Sequence, residues 1–270
     1  MVKRTSKRKK KTVRKGKIRS FFGKIKDFFV ELKNKISEKR KKRINPHKSF
    51  KRSYREDYKR DLEVPGIMYH IFVDRFKSSG KCKPKKSAVM NDDWYNGIPQ
   101  YAKNQGDKLS NNMFFGGNLK GVEDKLDYLE KLGVRVIYLS PIFKSYSNHK
   151  YDTGDYMTVD EMFGGEAAFR SLLEKARDRG MSIILDGVFN HTGDDSLYFN
   201  KYGKYNSIGA YDNENSPYRN WYYFNGGNDR YESWWGIKIQ PRLNHEKESC
   251  RHYFTGEDGI IQKYIKKGIV

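Results

Sequence analysis

Cysteine is scarce in this sequence, and long apolar runs are missing from it. The 270 residues include two cysteines, Cys82 and Cys250, which are too few for the disulfide framework of a small secreted protein. No apolar run reaches the length that crosses a bilayer. The first residues also lack the uninterrupted apolar core and cleavage site of a secretory signal. We therefore expect two free thiols, a reducing compartment and a cytoplasmic location.

Acidic residues are scarce near the N-terminus, and this shortage produces most of the net charge. Residues 1–60 contain 26 Lys and Arg but 5 Asp and Glu, so they carry 26 − 5 = +21 of the formal net charge of +22. The remaining residues hold 55 − 26 = 29 basic and 33 − 5 = 28 acidic side chains, and they are nearly neutral. The high net charge therefore does not indicate that the whole protein binds nucleic acid.

The basic tail, residues 1–60, divides into two predicted parts. Residues 1–17 are a Lys/Arg run that we expect to be disordered. Residues 18–36 predict an amphipathic helix, because apolar side chains recur at spacings of three and four: Ile18, Phe21, Phe22, Ile25, Phe28, Phe29, Leu32 and Ile36. Through residues 1–45 the tail is expected to bind an anionic membrane surface or another polyanion, or to pack on its own chain. Sequence-specific nucleic-acid binding is not expected, since no base-reading motif accompanies the charge.

From about residue 61 the chain alternates between strand-like and helix-like segments. The apolar runs are typical of strands, and the segments between them have helical spacing; the predicted strands are 67–76, 134–143 and 183–185, and the predicted helices lie near 126–132, 166–179 and 257–267. This alternation predicts an α/β fold with parallel strands joined by right-handed crossovers.

We expect three segments after the tail. Residues 61–190 contain three strands and two helices, and residues 191–245 form an aromatic-rich insertion after the third strand. Residues 246–270 contain a third helix and, at Ile269 and Val270, the start of a fourth strand. The aromatic rings of the insertion have two interpretations, a small core or a surface that stacks on sugar rings, and the core is favoured for most of them.

Polar side chains follow the second and third predicted strands. Asp186, Asn190 and His191 come directly after the third strand, and the segment from His149 to Tyr156 follows the second. In alternating α/β folds, chemistry lies where strands end and loops begin. A carboxylate, an amide and an imidazole in this position indicate a pocket, although a plain turn and loop would also accommodate them.

These motifs together resemble the α-amylase family, glycoside hydrolase family 13. The resemblance runs from about Gly66 to the last residue and includes Asp186-Gly187-Val188-Phe189-Asn190-His191 and Gln240-Pro241-Arg242-Leu243-Asn244. Arg242 resembles the neopullulanase and cyclomaltodextrinase branch, whereas Gln240 is closer to the oligo-1,6-glucosidases. The resemblance implies a (β/α)8 TIM barrel, of which this chain is the N-terminal part with about three β/α units.

The family resemblance also implies roles for individual residues. Tyr151 would stack under the sugar whose bond is cut, and His149 would line that subsite. His191 would bind a sugar hydroxyl, Asp186 would orient an arginine on the fourth strand, and Asn190 would shape the site. The expected ligands are α-1,4- and α-1,6-linked glucan oligosaccharides such as maltodextrin, pullulan or cyclodextrin.

Catalytic residues are not expected within the chain. A retaining glycosidase needs a nucleophile and an acid, and the resemblance implies that both lie beyond Val270. The chain alone is then expected to be inactive. Asp152 and Asp186 are an alternative catalytic pair that we do not favour, because both have positioning roles in the family pattern.

Few residues of this sequence are spaced as metal ligands. His149 and His191 lack a nearby third ligand, so no metal site is predicted. Related enzymes often bind calcium in the loop after the first strand, but four lysines, Lys81, Lys83, Lys85 and Lys86, make calcium doubtful here. Asp74 and Arg75 are interpreted as a structural pair.

The alternative function is a non-catalytic remnant or binding module that contacts an anionic surface. An apolar edge strand would also allow self-association.

Overall fold

The computed structural model describes residues 66–80, 83–104 and 109–270. The predictions about the tail's disorder, its amphipathic helix and its anionic partners concern residues outside these ranges, as does Cys82. Contacts divide the chain into two units, Met1–Glu63 and Val64–Val270. All of the described residues lie in the second unit.

Short strands and helices alternate along this unit. The strands are β1 (Ile67–Ile71), β2 (Val89–Met90), β3 (Met113–Phe114), β4 (Val134–Leu139), β5 (Phe143–Ser145), β6 (Thr153–Val159) and β7 (Ser182–Leu185). The helices are α1 (Val73–Phe76), α2 (Leu119–Asp124), α3 (Leu126–Lys131), α4 (Gly165–Asp178), α5 (Glu248–Thr255) and α6 (Ile260–Lys266). Single turns of 3-10 helix occur at Glu161–Phe163, Arg219–Trp221 and Trp234–Gly236.

The predicted parallel sheet is confirmed. Its order is β1-β4-β7, and both neighbouring pairs are parallel. Helices α2 and α3 connect β1 to β4, and α4 connects β4 to β7. The described residues therefore form consecutive β/α units of a parallel fold, and these residues do not form a closed barrel.

One face of this sheet carries the core, and the other is partly exposed. Ile71, Ile137, Leu139 and Ile183 are buried among the helices. The side chains that alternate with them, such as His70 and its partner Tyr138, remain partly exposed or exposed. The prediction that the third strand is buried on both faces is therefore wrong for this three-stranded sheet, because only one face is covered by helices.

Several predicted boundaries shift. The first strand ends at Ile71, because Val73–Phe76 coils into a helical turn whose Asp74 is buried and paired with Arg75 at 2.8 Å. That pairing was predicted. Asp74 also accepts the backbone N–H groups of Phe115 and Gly116 at 3.1–3.2 Å, so it fixes the loop that precedes α2.

The connection from β4 to α4 contains an antiparallel hairpin that the sequence pattern did not predict. Strand β5 pairs with β6 in a register with two irregularities. This hairpin places the segment from residue 146 to residue 152 as its turn. The predicted site motif is therefore held by a hairpin rather than by a simple loop.

Glycines follow the ends of helices α3 and α4. Gly133 and Gly180 adopt left-handed φ values of 80° and 65°, which L side chains rarely adopt. Leu132, however, is 43% exposed, so the first helix buries Leu126 and Leu129 without it.

The C-terminal segment contains two helices where one was predicted. Helix α6 begins at Ile260 rather than at residue 257, and α5 buries Cys250 and Phe254 one turn apart. Cys250 is a free thiol, as expected, and burial raises its pKa to about 12. Val270 donates its N–H to Ile183 at 3.2 Å, so the end of the chain runs beside β7 as the predicted fourth strand would.

The aromatic-rich segment from residue 191 to residue 245 has a core of its own rings. Trp221, Tyr222 and Tyr231 are each 4% exposed, and Phe199 lies 4.8 Å from the rings of both tyrosines. Most rings are therefore buried or half-buried, as the core interpretation predicts, but they join one cluster with Tyr156 and Phe254 outside the segment. Within the described residues, no helix is long and apolar enough to span a bilayer.

Candidate functional site

Tyr151 and Asp186 meet at the carboxyl ends of the parallel strands. Asp186 directly follows β7, and the Tyr151 hydroxyl donates a hydrogen bond to its Oδ2 at 2.8 Å. Tyr138 near the end of β4 also donates to Asp186, and burial together with this bond raises the pKa of Tyr138 to about 12. Burial and the bond to Asp186 raise the pKa of Tyr151 as well. Both phenols therefore stay protonated at neutral pH, and Asp186 orients them.

The Tyr151 ring remains available to a ligand. The residue is 36% exposed, and its ring lies 5.9 Å from that of His149 at an angle of 31°. The Tyr151 backbone N–H donates to His149 Nδ1 at 3.1 Å, so the neutral imidazole carries its proton on Nε2. Burial lowers the pKa of His149, although Asp152 opposes the effect. An uncharged imidazole and a half-open phenol ring thus form one polar and aromatic wall.

Asp152 shapes the turn that presents this wall. It is buried, and it accepts the Ser147 backbone N–H at 3.1 Å and the Ser147 hydroxyl. Ser147 Oγ in turn accepts the N–H of Lys150 at 2.9 Å. Burial raises the pKa of Asp152, and His149 and Ser147 act in the opposite direction. The carboxylate therefore closes the turn from residue 147 to residue 152.

A buried ion pair between Lys150 and Asp160 holds the same turn in place. Lys150 is fully buried with a left-handed φ of 61°, and its Nζ lies 2.5 Å from Asp160 Oδ2. The Phe163 ring lies 4.4 Å from the same ammonium group. Burial raises the pKa of Asp160, but Lys150 and Lys85 outweigh it and leave the pKa below its usual value. Because Lys150 lies between His149 and Tyr151 in sequence, this pair fixes the backbone of both candidate residues.

His191 is held in one tautomer by its neighbours. Its Nε2 lies 3.1 Å from the Tyr151 carbonyl oxygen, which can only accept, so Nε2 carries the proton. The Asn190 amide lies 3.2 Å from Nδ1 and donates to it. Burial lowers the pKa of His191, which favours this neutral form. Both ring nitrogens are thus engaged by protein groups, and a sugar hydroxyl would bind by replacing one of them.

Tyr156 ties the His191 segment to the hairpin. Its buried hydroxyl lies 2.5 Å from the carbonyl oxygen of Val188 and 2.7 Å from that of His191. Burial raises the pKa of Tyr156 well above the ordinary value, so the phenol keeps the proton that bridges these carbonyls. One side chain therefore connects strand β6 to the segment after β7.

The structure brings the five predicted site residues into one connected group. His149 bonds to Tyr151, Tyr151 bonds to Asp186 and His191, and Asn190 bonds to His191. The unfavoured catalytic pair gains no support, because the two carboxylates have different partners: Asp152 binds Ser147, and Asp186 binds two tyrosines.

A cavity of about 490 Å³ adjoins His149. Asp152, Asp194 and Tyr202 are among its lining residues, and the Tyr202 hydroxyl donates to Asp194 at 2.8 Å. Burial raises the pKa of Asp194, with Tyr202 opposing it. His149 therefore borders a space that contains hydroxyl and carboxyl groups.

Residues that the sequence motifs did not identify also take part. Tyr138 was counted only as a strand residue, and the Trp234 ring, which was assigned to the insertion, lies 5.6 Å from the His191 ring. Tyr138 stands next to the last residue of β4, but the predicted strand ran to Phe143, so its position at the strand end was not apparent. Trp234 gave no signal either, because its contact spans 43 residues of irregular chain.

In the described part of the loop after β1, two side-chain oxygens that could bind a cation accept backbone N–H groups instead. Asn91 Oδ1 accepts the Asp93 N–H at 3.1 Å, and Asp93 Oδ1 accepts the Asn96 N–H at 2.8 Å, so these oxygens form turns. In residues 66–80, 83–104 and 109–270, no three His, Cys, Asp or Glu side chains converge on a point that would hold a metal ion.

Lys85 occupies part of this loop as a cation. Its Nζ donates to the Ser145 carbonyl oxygen and lies 3.5 Å from Asp160 Oδ2. Burial, followed by repulsion from Lys150, lowers the pKa of Lys85 to about 8, although Asp160 opposes both effects. The Lys85 ammonium thus links the loop to the hairpin. Because burial disfavours the charged form, protonation of Lys85 lowers the free energy of unfolding.

We expect Lys85 to make stability depend on alkaline pH. Its pKa is lower in the folded chain than in the unfolded chain, so the unfolded chain binds more protons between about pH 8 and pH 10.5. The free energy of unfolding should therefore rise across that window, by about 2 kcal/mol from this group. Denaturant unfolding at pH 7, 8.5 and 9.5 measures the slope. The Lys85→Met variant is the control, and an equal slope in both proteins would contradict the assignment.

Comparison with known proteins assigns this chain to a family. The family described as alpha amylase, catalytic domain, matches residues 48–270. The chain is 43% identical over 224 residues to an amylopullulanase of Thermoanaerobacterium saccharolyticum, covering 73% of this chain and 17% of that protein. It is 38% identical over 180 residues to a cyclomaltodextrinase of Thermoanaerobacter pseudethanolicus, covering 67% of this chain and 26% of that protein.

A solved structure agrees with this relationship. The cyclic α-maltosyl-(1→6)-maltose hydrolase of Arthrobacter globiformis, in complex with that cyclic sugar, is 28% identical and superposes with a TM-score of 0.61. The match covers 76% of this chain and 42% of the hydrolase. The chain thus spans less than half the length of these relatives. The match of residues 48–270 to the family and the likeness to these relatives show that this chain belongs to the α-amylase family, glycoside hydrolase family 13.

Proposed function

We propose that this chain provides a substrate-binding wall of an α-glucan hydrolase or transglycosylase with a retaining mechanism. The ligands are α-1,4- and α-1,6-linked glucan oligosaccharides. The observation that carries the proposal is the Tyr151 ring, which stays partly open to solvent while Asp186 holds its hydroxyl, His149 lies beside it and His191 bonds to its backbone carbonyl. An aromatic face held in this way stacks on the C–H face of a pyranose ring.

The polar groups around Tyr151 suit the rest of such a sugar. The protonated Nε2 of His149 provides a neutral donor, and the cavity beside it contains hydroxyl and carboxyl groups. Neutral donors and acceptors bind sugar hydroxyls without leaving a buried charge unpaired. The relatives support the same ligand class: the Arthrobacter hydrolase was solved with a cyclic maltosyl-maltose, and a debranching enzyme of Nostoc punctiforme was soaked with acarbose.

In this role the described residues bind and orient the sugar. Tyr151 fixes the plane of one ring, Asp186 fixes Tyr151, and the Lys150–Asp160 pair holds the turn in place. The two carboxyls of a retaining mechanism are not assigned to this wall. A non-catalytic binding module would use the same contacts, and turnover distinguishes the two roles.

Binding selectivity tests the ligand class. Titration calorimetry of the full chain with maltotetraose should give saturable heat, whereas cellotetraose should give none. The reason is shape, since α-1,4 links curve the glucan around the Tyr151 ring and β-1,4 links keep the chain straight. Circular dichroism before and after titration monitors the fold. Equal binding of both sugars, or binding of neither, would overturn the proposal.

A further inference from the structure

Two adjacent tryptophans extend outward from the site. Trp234 is 37% exposed and Trp235 is 86% exposed, although large aromatic rings are usually buried. Their rings are stacked, with centroids 5.0 Å apart and planes only 11° apart. The pair therefore presents a flat, water-exposed indole face, unlike Trp221 and Tyr222 of the same segment, which are buried.

The backbone is strained at Trp235. Its φ and ψ are 50° and 29°, the left-handed region that bulky residues rarely occupy. Neighbouring bonds hold the turn: Trp234 N–H donates to the Gln240 carbonyl at 3.0 Å, and Ile237 N–H donates to the Trp234 carbonyl at 2.9 Å. A strained residue that holds an apolar ring out in water indicates a functional constraint, because packing alone gains little from it.

The pair is continuous with the wall described above. The Trp234 ring lies 5.6 Å from the His191 ring at 30°, and His191 contacts the Tyr151 carbonyl. The Arg242 backbone is bridged to that of His191, and its guanidinium lies 5.2 Å from the Tyr223 ring. The aromatic surface thus begins at the proposed sugar site and extends away from it.

Two charged residues, Glu232 and Arg242, flank the Ser233–Pro241 bridge at the base of this turn. Arg242 and Glu232 are paired at 2.9 Å, with 51% and 40% of their side chains exposed. An aromatic floor bordered by a guanidinium and a carboxylate fits a pyranose ring, which has an apolar face and a hydroxyl rim. An apolar protein partner would fit less well, because this exposed ion pair would have to lose its water.

We propose that Trp234 and Trp235 form an accessory glucan-binding platform that takes a further pyranose unit of a chain bound at Tyr151. The platform rests on the proposed function, since it extends the same site. Trp235 provides the stacking face, Trp234 supports it, and Glu232 and Arg242 bind hydroxyls at the edge. A glucan long enough to reach both surfaces binds more tightly than a short one.

Chain-length dependence tests the platform. The full chain, Trp235→Ala, Trp235→Phe and Tyr95→Ala are titrated with maltotriose and maltohexaose. Tyr95 is the matched control, since it is 92% exposed and lies far along the chain from the platform. We expect Trp235→Ala to weaken maltohexaose binding about ten-fold and to change maltotriose binding less than two-fold. Trp235→Phe should recover most of the affinity, and Tyr95→Ala should resemble the parent.

The outcomes separate this proposal from the one on which it rests. If the parent binds both sugars and Trp235→Ala binds maltohexaose like the parent, the platform is overturned and the wall at Tyr151 stands. If the parent binds neither sugar, the proposed function fails and the platform fails with it. Loss of folding is checked by thermal unfolding, and the Trp235→Phe variant, which keeps an aromatic ring, gives a second reading of the same site.

Discussion

Replacement of Asp160 by alanine should lower the free energy of unfolding by about 3–5 kcal/mol. Lys150 is fully buried, and its ammonium lies 2.5 Å from the Asp160 carboxylate. The variant would leave this charge in the core with no carboxylate beside it, and Ser145 and Met162 would lose an acceptor for their N–H groups. Urea unfolding followed by circular dichroism measures the change.

An exposed ion pair provides the matched control. Asp127 lies 2.7 Å from Arg179, but its side chain is 73% exposed, so Asp127→Ala should cost about 0–1 kcal/mol. Adding Lys150→Met to Asp160→Ala should restore part of the stability, because it removes the unpaired charge. Similar losses in the Asp160 and Asp127 variants would show that the buried pair does not anchor the turn.

Replacement of Tyr151 by alanine should weaken maltotetraose binding by about 10- to 100-fold, or roughly 1.4–2.8 kcal/mol. The change removes the ring on which the sugar stacks, and it also removes the hydroxyl that binds Asp186. Tyr151→Phe keeps the ring and should lose less. Calorimetric titration of both variants gives the two contributions separately.

Lys144→Ala is the control for Tyr151. Lys144 lies on the exposed side of β5, where its Nζ is 4.7 Å from the Tyr205 ring, and it does not contact the Tyr151 group through a hydrogen bond. Its removal should leave glucan affinity within two-fold of the parent. If Tyr151→Ala and Lys144→Ala both bind like the parent, Tyr151 does not contact the sugar.

The parallel sheet was predictable because each strand and helix has a signal in residues that are close together in the sequence. Ile183 to Leu185 form an apolar run after a helix that ends in glycine, and such a run specifies a strand in a parallel sheet. The hairpin of β5 and β6 was not predictable in the same way. Its pairing contains two irregularities and its turn is closed by Asp152 and Ser147, which are contacts that no periodic pattern shows.

The candidate site likewise contains residues that motifs identified and residues whose roles depend on tertiary contacts. His149, Tyr151, Asp186, Asn190 and His191 were identified by motifs, and they are joined by hydrogen bonds in the structure. The groups that hold them in place were not identified. Lys150 and Asp160 look like ordinary surface charges in the sequence, and their burial depends on the fold of the whole hairpin.

Trp235 shows why residue type alone was insufficient. Composition gave the same two interpretations for every ring of the insertion, and most rings are core. What distinguishes Trp235 is a backbone conformation and an exposed fraction, and neither follows from the local sequence.

The central claim is that His149, Tyr151 and His191 form the wall that contacts an α-glucan, and histidine NMR tests it most directly. The full chain, with ring-labelled histidine, is titrated with maltotetraose, and its six histidines are assigned by single substitutions. The account predicts that the His149 and His191 ring signals shift along one saturable curve, while exposed His252 stays fixed. A saturable shift elsewhere with His149 and His191 unmoved would contradict the account.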